Sequence, residues 1–341
     1  MRKVGIGVIG IGVWGIMHAD VYSKYEGADF IAICDIDEEK AKVAAKKYGA
    51  KKYYTDYRDL INDPEIEAVG IATPDFAHKE PAIYAAEHGK NILIEKPLAT
   101  SLSDAIEINE AAKKNSVILM VDFHNRWNPS FISAKDQIVG GMLGAPKYIY
   151  IRHSNTKYVP FHMLSWSSQS SVLWFLGSHS NDIARWMLDS EVEKVYTVSR
   201  KGVLQKAGLD IPDFFTSILE YKNGCVATIE NSWILPNTLP VVGNFSAELL
   251  CEKGVHYVEF CPNNAAMTYT DECAKMSDLT AENKVYGQFK GFCFDSIIHF
   301  IDCVREGKKP IVDGDDGVEN TRTLEAMSKS LEIGGPVKII R

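Results

Sequence analysis

Val4-Gly-Ile-Gly-Val-Ile-Gly10-Ile-Gly12-Val13-Trp14-Gly15 is the stretch that decides the fold of this chain. Its first six residues, Val4–Ile9, are a short apolar run with β-branched side chains, the pattern of a buried strand. Residues 10–15 then spell G-x-G-x-x-G, and a helical stretch follows from about residue 13 to 25. Residues 29–34 read as a second buried strand, and Asp35 stands at its end, about 20 positions after Gly15. Strand, glycine turn, helix and acid in this order form a dinucleotide-binding fingerprint. Gly10 permits the tight turn. Gly12 lets the backbone approach a pyrophosphate, which the helix N-terminus stabilises. Gly15 allows close helix–strand packing. Val13 and Trp14 belong to the same turn and count with it as cofactor-contacting positions. The Asp35 carboxylate can accept hydrogen bonds from adenosine ribose hydroxyls and repels a 2′-phosphate. No arginine lies in residues 34–42 to hold such a phosphate, although Lys40 and Lys42 stand there. NAD(H) is therefore favoured over NADP(H). The alternative is a structural glycine turn without a ligand.

The alternation continues outward from this unit. Residues 37–48 form a Lys/Glu/Ala-rich helix closed by Gly49. Residues 67–72 read as a strand, 77–88 as a helix capped by Gly89, and 91–95 as a strand. Residues 103–115 read as a helix with Ser103 as N-cap, and 117–121 as another apolar strand. Strand–helix alternation predicts a doubly wound parallel sheet, with ligands at the carboxyl ends of its strands. After about Asp122 the pattern changes. Residues 129–139 and 172–188 read as helices. The β-rich runs 192–201, 214–221, 225–233, 245–251 and 255–260 follow, with Asn223-Gly224 a hairpin signal. Helices return at 286–306 and 317–333. Strands in succession imply an antiparallel sheet, so this half is α+β. The expected division is a Rossmann domain over 1–121 and an α+β domain over 122–341, joined by a short structured crossing.

Composition narrows the function. Among 341 residues, 37 Lys and Arg stand against 45 Asp and Glu, giving a net charge of −8. That balance disfavours nucleic acid, which needs clustered cations. Hydrophobic residues at 46% and charged ones at 24% exclude collagen-like, disordered and coiled-coil classes. The seven cysteines, Cys34, Cys225, Cys251, Cys261, Cys273, Cys293 and Cys303, contain no CxxC. Neither a disulfide framework nor a zinc knuckle is supported, and no metal is expected. Inert thiols fit a reducing compartment. No run approaches the ~20 apolar residues of a membrane span. Met1-Arg2-Lys3 before the apolar run 4–17 imitates a signal peptide, but five glycines oppose a continuous helix there. A cytoplasmic protein without membrane contact is expected.

Two strand ends carry the candidate chemistry. Thr73-Pro74-Asp75-Phe76-Ala77-His78 leaves one strand where the nicotinamide side of a dinucleotide would lie. Thr73 and Pro74 are placed to line the cofactor. His78 reads as a helix-start residue beside it. Glu95-Lys96-Pro97 leaves the next strand in the same layer. A lysine facing a cofactor there is placed for proton transfer, because burial and a neighbouring cation lower its pKa. Glu95 either orients the lysine or touches the ribose. Pro97 fixes the turn and allows a cis peptide. Taken alone, a lysine after a strand is usually a solvated charge.

These motifs, in this order and spacing, resemble the glucose–fructose oxidoreductase/inositol dehydrogenase/rhizopine-catabolism (Gfo/Idh/MocA) family. The resemblance continues through Asn125-Arg126-Trp127-Asn128-Pro129, Gly141-Met-Leu-Gly144, Gly177-Ser-His179-Ser-Asn-Asp182 and Gly335-Pro336-Val337-Lys338. It implies an N-terminal Rossmann domain and a C-terminal α/β domain whose large open sheet carries substrate on one face and an oligomer contact on the other. It implies that Lys96 contacts the reacting hydroxyl and assists proton transfer. His179 takes the place of the histidine that acts as base for alcohol oxidation or acid for ketone reduction. Asp182, one helical turn later, shares a face with His179. One departure stands out. Many sugar and inositol dehydrogenases of the family carry an aspartate four residues before this histidine, and here the residue is Phe175.

Trp166 and Trp233 are expected where sugar C–H faces pack on rings, with Tyr158, Arg152, His153 and Asn155 as further wall residues. Packing and surface roles stay open for each. Arg152 could pair with a substrate carboxylate or phosphate. The reading that unites these residues is an NAD-dependent oxidoreductase of a sugar, sugar derivative or cyclitol. Lys96 and His179 polarise the oxygen and handle its proton. A non-catalytic NAD-binding regulator and an NAD-dependent glycosidase are the alternatives. A small sugar-like molecule and a homodimer or homotetramer through the C-terminal sheet complete the expected partners.

Overall fold

The computed structural model describes residues 2–261, 266–272, 274–276, 280–286 and 288–341. Contacts divide the chain into two compact units. The first comprises Met1–His124 and Lys284–Thr321, the second Asn125–Asn283 and Arg322–Arg341.

In the first unit six strands form one sheet: β1 (Val4–Ile9), β2 (Ala28–Cys34), β3 (Lys52–Tyr54), β4 (Ala68–Ile71), β5 (Asn91–Ile94) and β6 (Leu119–Val121). Their order is β3-β2-β1-β4-β5-β6, and every pair is parallel. Every residue of β1 and β4 is buried, as a sheet covered on both faces requires. The connecting helices are α1 (Val13–Lys24), α2 (Glu38–Tyr48), α3 (Tyr57–Asn62), α4 (Lys79–Glu87) and α5 (Leu102–Lys114). Asp37 caps α2 by accepting from the Lys40 N–H. Ser101, rather than the expected Ser103, caps α5 by accepting from the Asp104 N–H. The strand order reverses between β1 and β4, so ligands belong outside the carboxyl ends of these strands.

The first unit departs from the expected boundary by including residues 284–321. The helix Phe292–Glu306 supplies the reason. It buries Phe292, Ile297, Phe300 and Ile301, and it packs on α1, β1 and β5. Tyr25 Oη donates to Asp302 Oδ1 at 2.6 Å. Further on, Gly317 lies so close to Leu98 and Val121 that a Cβ there would stand 2.8 Å from each side chain.

The second unit holds α6 (Pro129–Val139), α7 (Ser178–Leu188) and the strands β7 (Pro146–Thr156), β8 (Val192–Arg200), β9 (Phe214–Tyr221), β10 (Val226–Leu235), β11 (Gly243–Cys251) and β12 (Val255–Cys261). The sheet order is β12-β11-β7-β10-β9-β8, with Val337–Lys338 added beside β8. Only β7 and β10 pair in parallel within this sheet. The sheet is thus mostly antiparallel, as expected. Strand β7, an inner strand between β11 and β10, has no counterpart in the sequence reading. Its last three residues, Ser154, Asn155 and Thr156, are polar yet buried, which breaks the apolar alternation that marks a strand. On one face Ile149, Ile151, Leu219, Ala227, Ile229 and Leu249 form a core with Ile183, Met187, Leu324 and Met327. The other face is open. Strand pairing aligns Tyr196, Ile218, Thr228, Tyr150, Glu248 and Tyr257 across it in one row.

None of the six described cysteines is in a disulfide. Cys273 lies outside the described residues. Among the described residues no helix is long and apolar enough to cross a membrane.

Candidate functional site

The glycine turn joins β1 to α1. Gly10 has φ +87°, and a Cβ there would lie 2.7 Å from the Ala72 carbonyl oxygen. A Cβ at Gly15 would fall 1.9 Å from the Gly10 carbonyl oxygen, so helix and strand approach as closely as expected. Gly12 differs: a Cβ there would meet nothing within 4 Å. Gly12 is also the N-cap of α1, and no side chain caps that helix. The turn therefore leaves room above a helix N-terminus that a pyrophosphate can fill. Val13 is exposed, and Trp14 stacks on His124 with ring centroids 5.3 Å apart.

Asp35 has a task the sequence did not disclose. Its Oδ2 accepts from the Ile11 N–H at 2.8 Å, and its Oδ1 from the Asp37 N–H at 3.0 Å. The acid ties its own strand end to the glycine turn. Each carboxylate oxygen keeps a second lone pair for a ribose hydroxyl. Turn, helix end and acid together fit the adenosine and pyrophosphate portions of a dinucleotide.

The ends of β4 and β5 are braced by His78. Its Nδ1 lies 2.8 Å from the Pro97 carbonyl oxygen, and its Nε2 lies 3.2 Å from that of Thr73. Burial holds the His78 ring below the usual histidine range. Thr73 Oγ1 donates to the Ala77 carbonyl oxygen at 3.3 Å, and the Lys96–Pro97 peptide is cis.

Lys96 is buried, and burial brings its ammonium down to about 8, against the opposing pull of Glu95, Asp75 and Asp122. Beneath it lies a polar cluster built from separate elements. His18 of α1 places Nε2 3.0 Å from Glu95 Oε1 and Nδ1 3.1 Å from Tyr22 Oη. Gly70 of β4 makes the room, since a Cβ there would lie 2.4 Å from Tyr22 Oη and 2.6 Å from His18 Nδ1. Burial pushes Asp122 well above the carboxylate range, and the neighbouring Glu95 adds to the rise. Burial also raises Glu95, but its bond to His18 and the charges of His18, Lys96 and His124 outweigh that and lower it. The two neighbouring carboxyls are thus pushed in opposite directions, Asp122 up and Glu95 down. Burial lowers His124 to about 4. His18, Glu95 and Asp122 each bring one potential ligand atom within 4.8 Å of the others. With a lysine ammonium as electrostatic neighbour, that trio suits a shared proton better than a divalent cation.

In the second unit α7 continues from a π-helical turn, Leu173–Gly177, an irregularity frequent at functional sites. This breaks the single helix expected over 172–188 into two kinds of turn. His179 and Asp182 follow one helical turn apart, both buried. Arg126 holds Asp182 with Nε 3.0 Å from Oδ2 and Nη2 2.6 Å from Oδ1. Asn125 Nδ2 lies 3.1 Å from His179 Nδ1. Asn231 Nδ2 donates to Ser180 Oγ at 3.0 Å and to the His153 carbonyl oxygen at 2.9 Å. The sequence reading quoted Asn125 and Arg126 but gave them no role. Their only signal was their place in the stretch Asn125-Arg126-Trp127-Asn128-Pro129, which carries part of the family resemblance.

The substrate-wall residues divide. Phe175 packs between Trp166 and Trp233, with centroids 6.3 Å and 5.8 Å away. Trp233 is 0% exposed, so it is a core residue rather than a wall, and its Nε1 has no hydrogen-bond partner. Arg152 must also be corrected. It is exposed on β7 between the buried Ile151 and the half-buried His153 and so points to the open face, where Nε lies 3.2 Å from Glu230 Oε1. His153 lies on the His179 side, their ring centroids 5.6 Å apart. Asn155 is buried. Tyr158 is exposed and lines an open cavity of about 570 Å³ with Thr156, His162, Asn237 and Leu239.

Comparison with known proteins shows the family and the fold. Residues 4–123 match the model of an oxidoreductase family with an NAD-binding Rossmann fold, and residues 135–339 match that family's C-terminal α/β domain. The chain is 29% identical over 343 residues to scyllo-inositol 2-dehydrogenase (NAD(+)) of Bacillus subtilis strain 168, covering 99% of this chain and 97% of that one. It is 28% identical to myo-inositol 2-dehydrogenase of Thermotoga maritima, covering 98% of each. The crystal structure of myo-inositol 2-dehydrogenase from Lactobacillus plantarum superposes with a TM-score of 0.86 at 22% identity, over 99% of this chain and 100% of that chain, a likeness of fold.

Proposed function

This chain belongs to the Gfo/Idh/MocA oxidoreductase family, and from that premise we propose that it is an NAD-dependent dehydrogenase of a cyclitol or related sugar. The observation that carries this reading is Lys96. A buried lysine at the carboxyl end of β5, brought down to about 8, shares its unit with a glycine turn shaped for a dinucleotide. Such a lysine exchanges protons near neutral pH. The relatives named for inositol oxidation support the substrate class.

Gly10, Gly12, Val13, Trp14 and Gly15 hold the pyrophosphate side of the cofactor, and Asp35 takes the adenosine ribose. Thr73, Pro74 and Glu95 border its nicotinamide half, with His78 bracing the two strand ends. The bound nicotinamide supplies the hydride acceptor or donor. Lys96 and His179 polarise the substrate oxygen and handle its proton. Asp182, neutralised by Arg126, orients the helix that carries His179. Trp166 and Tyr158 remain as wall residues. The open sheet face is the surface for a homodimer or homotetramer, since it exposes Tyr196, Ile218 and Tyr257.

The test is a screen of NAD and NADP with cyclitols, sugars, sugar acids and nucleotide sugars. A substrate-dependent change in nicotinamide absorbance with at least one cyclitol or sugar is expected. Sugar release without net NADH would identify a glycosidase instead, and NAD binding without any turnover would identify a regulator.

A further inference from the structure

Asn125 and His179 are both almost completely buried, and the carboxamide nitrogen of one faces Nδ1 of the other at 3.1 Å. A carboxamide nitrogen donates and does not accept. Nδ1 must therefore offer its lone pair, and a neutral imidazole with Nδ1 as acceptor carries its hydrogen on Nε2. We propose that Asn125 is a positioning residue that holds His179 as the neutral Nε2–H tautomer, making His179 a hydrogen-bond donor to the substrate oxygen and not its base.

This deepens the proposed function and rests on its reading of Lys96 and His179. It divides their labour. In alcohol oxidation the hydroxyl proton would pass to the uncharged Lys96 Nζ, and NAD, when held at the glycine turn, would supply the acceptor for the C–H hydride. Meanwhile the Nε2–H of His179 stabilises the negative charge that develops on oxygen, and it stays on His179 throughout. A neutral imidazole can serve as such an electrophile. A carboxylate bonded to Nδ1 would impose the opposite tautomer, Nδ1–H with a basic Nε2. The resemblance places an aspartate four residues before the histidine, but Phe175 stands there. The His153 ring of β7 stands 5.6 Å from that of His179, centroid to centroid, and Asp182 of α7 is paired with Arg126.

The experiment is long-range ¹⁵N–¹H NMR of histidine side chains in the full-length chain without substrate. His179 is assigned by the signals lost in His179→Gln. The expected result is a neutral ring with hydrogen on Nε2 and an unprotonated Nδ1. Asn125→Asp should invert that pattern and add a second ionisation to the pH profile of kcat/KM for oxidation. Asn125→Ala should give a mixture of tautomers and lower kcat by roughly 10-fold with KM little changed. Hydrogen on Nδ1 in the wild-type ring overturns the proposal whatever the activity. If no substrate turns over, the proposed function falls while the NMR result still decides the tautomer. If Asn125→Asp does not fold, the wild-type spectrum and Asn125→Ala alone carry the test.

Discussion

Arg126 grips both carboxylate oxygens of Asp182, at 3.0 Å and 2.6 Å, with both side chains buried. Removing one member strips the other of this buried ion pair. Asp182→Ala should therefore cost roughly 3–5 kcal/mol of stability. The double replacement Arg126→Met with Asp182→Leu should recover most of that loss. Urea denaturation midpoints with unchanged m-values check both. Asp182→Ala that retains wild-type stability but loses turnover would make Asp182 a chemical participant instead.

Lys96→Ala should lower kcat by about 10²–10⁴-fold while NAD affinity stays near wild type. Turnover kinetics and calorimetric titration of NAD separate the two effects.

The buried Lys96 ammonium sits near 8, so the sign of the pH dependence follows. Below that pH the lysine is charged and cannot accept a hydroxyl proton. Oxidation should rise about tenfold per pH unit and level off above about 8. Carbonyl reduction should fall over the same range. Glu95→Gln removes a charge that favours the ammonium and should move the limb to lower pH. A pH profile of kcat/KM for both variants and directions reads this, and a flat profile through pH 7–9 would remove Lys96 as the titrating group.

Asp35→Ala should weaken NAD by roughly 10–100-fold, since hydrogen bonds to a charged acceptor are worth about 1.5–3 kcal/mol. It should also relax discrimination against NADP. Because Asp35 accepts from the Ile11 and Asp37 N–H groups, the thermal midpoint should fall as well. Unchanged cofactor preference would discredit the ribose assignment.

Ile218→Glu combined with Tyr196→Glu places two charges side by side in the exposed row of the open face, where these residues are paired. If that face joins copies of the chain, sedimentation velocity should show smaller species than for wild type. An unchanged sedimentation coefficient in an oligomeric wild type would send the contact elsewhere.

The first sheet was legible because its apolar runs and the glycine turn are local signals. Val4–Ile9 needed no tertiary information, whereas Lys52–Tyr54 is three partly exposed residues with no pattern to read. The second sheet lost its inner strand β7 to buried polar residues that depend on tertiary partners. The site followed the same rule. Lys96 and His179 were visible through motif spacing. The grip of Arg126, the bond of Asn125 and the His18–Glu95 cluster join residues far apart in sequence, so no spacing announced them. Arg152 misled because its charge suggested a ligand, while strand alternation turned it to the opposite face.

The helix Phe292–Glu306 completes the first unit from the far end of the chain. During synthesis, the N-terminal half leaves the ribosome with one flank of its sheet bare. All of β7–β12 is made before the covering helix arrives. A fragment ending at residue 124 should therefore be a poor substitute for the intact NAD-binding unit, and genetic dissection of this protein needs both ends of the gene.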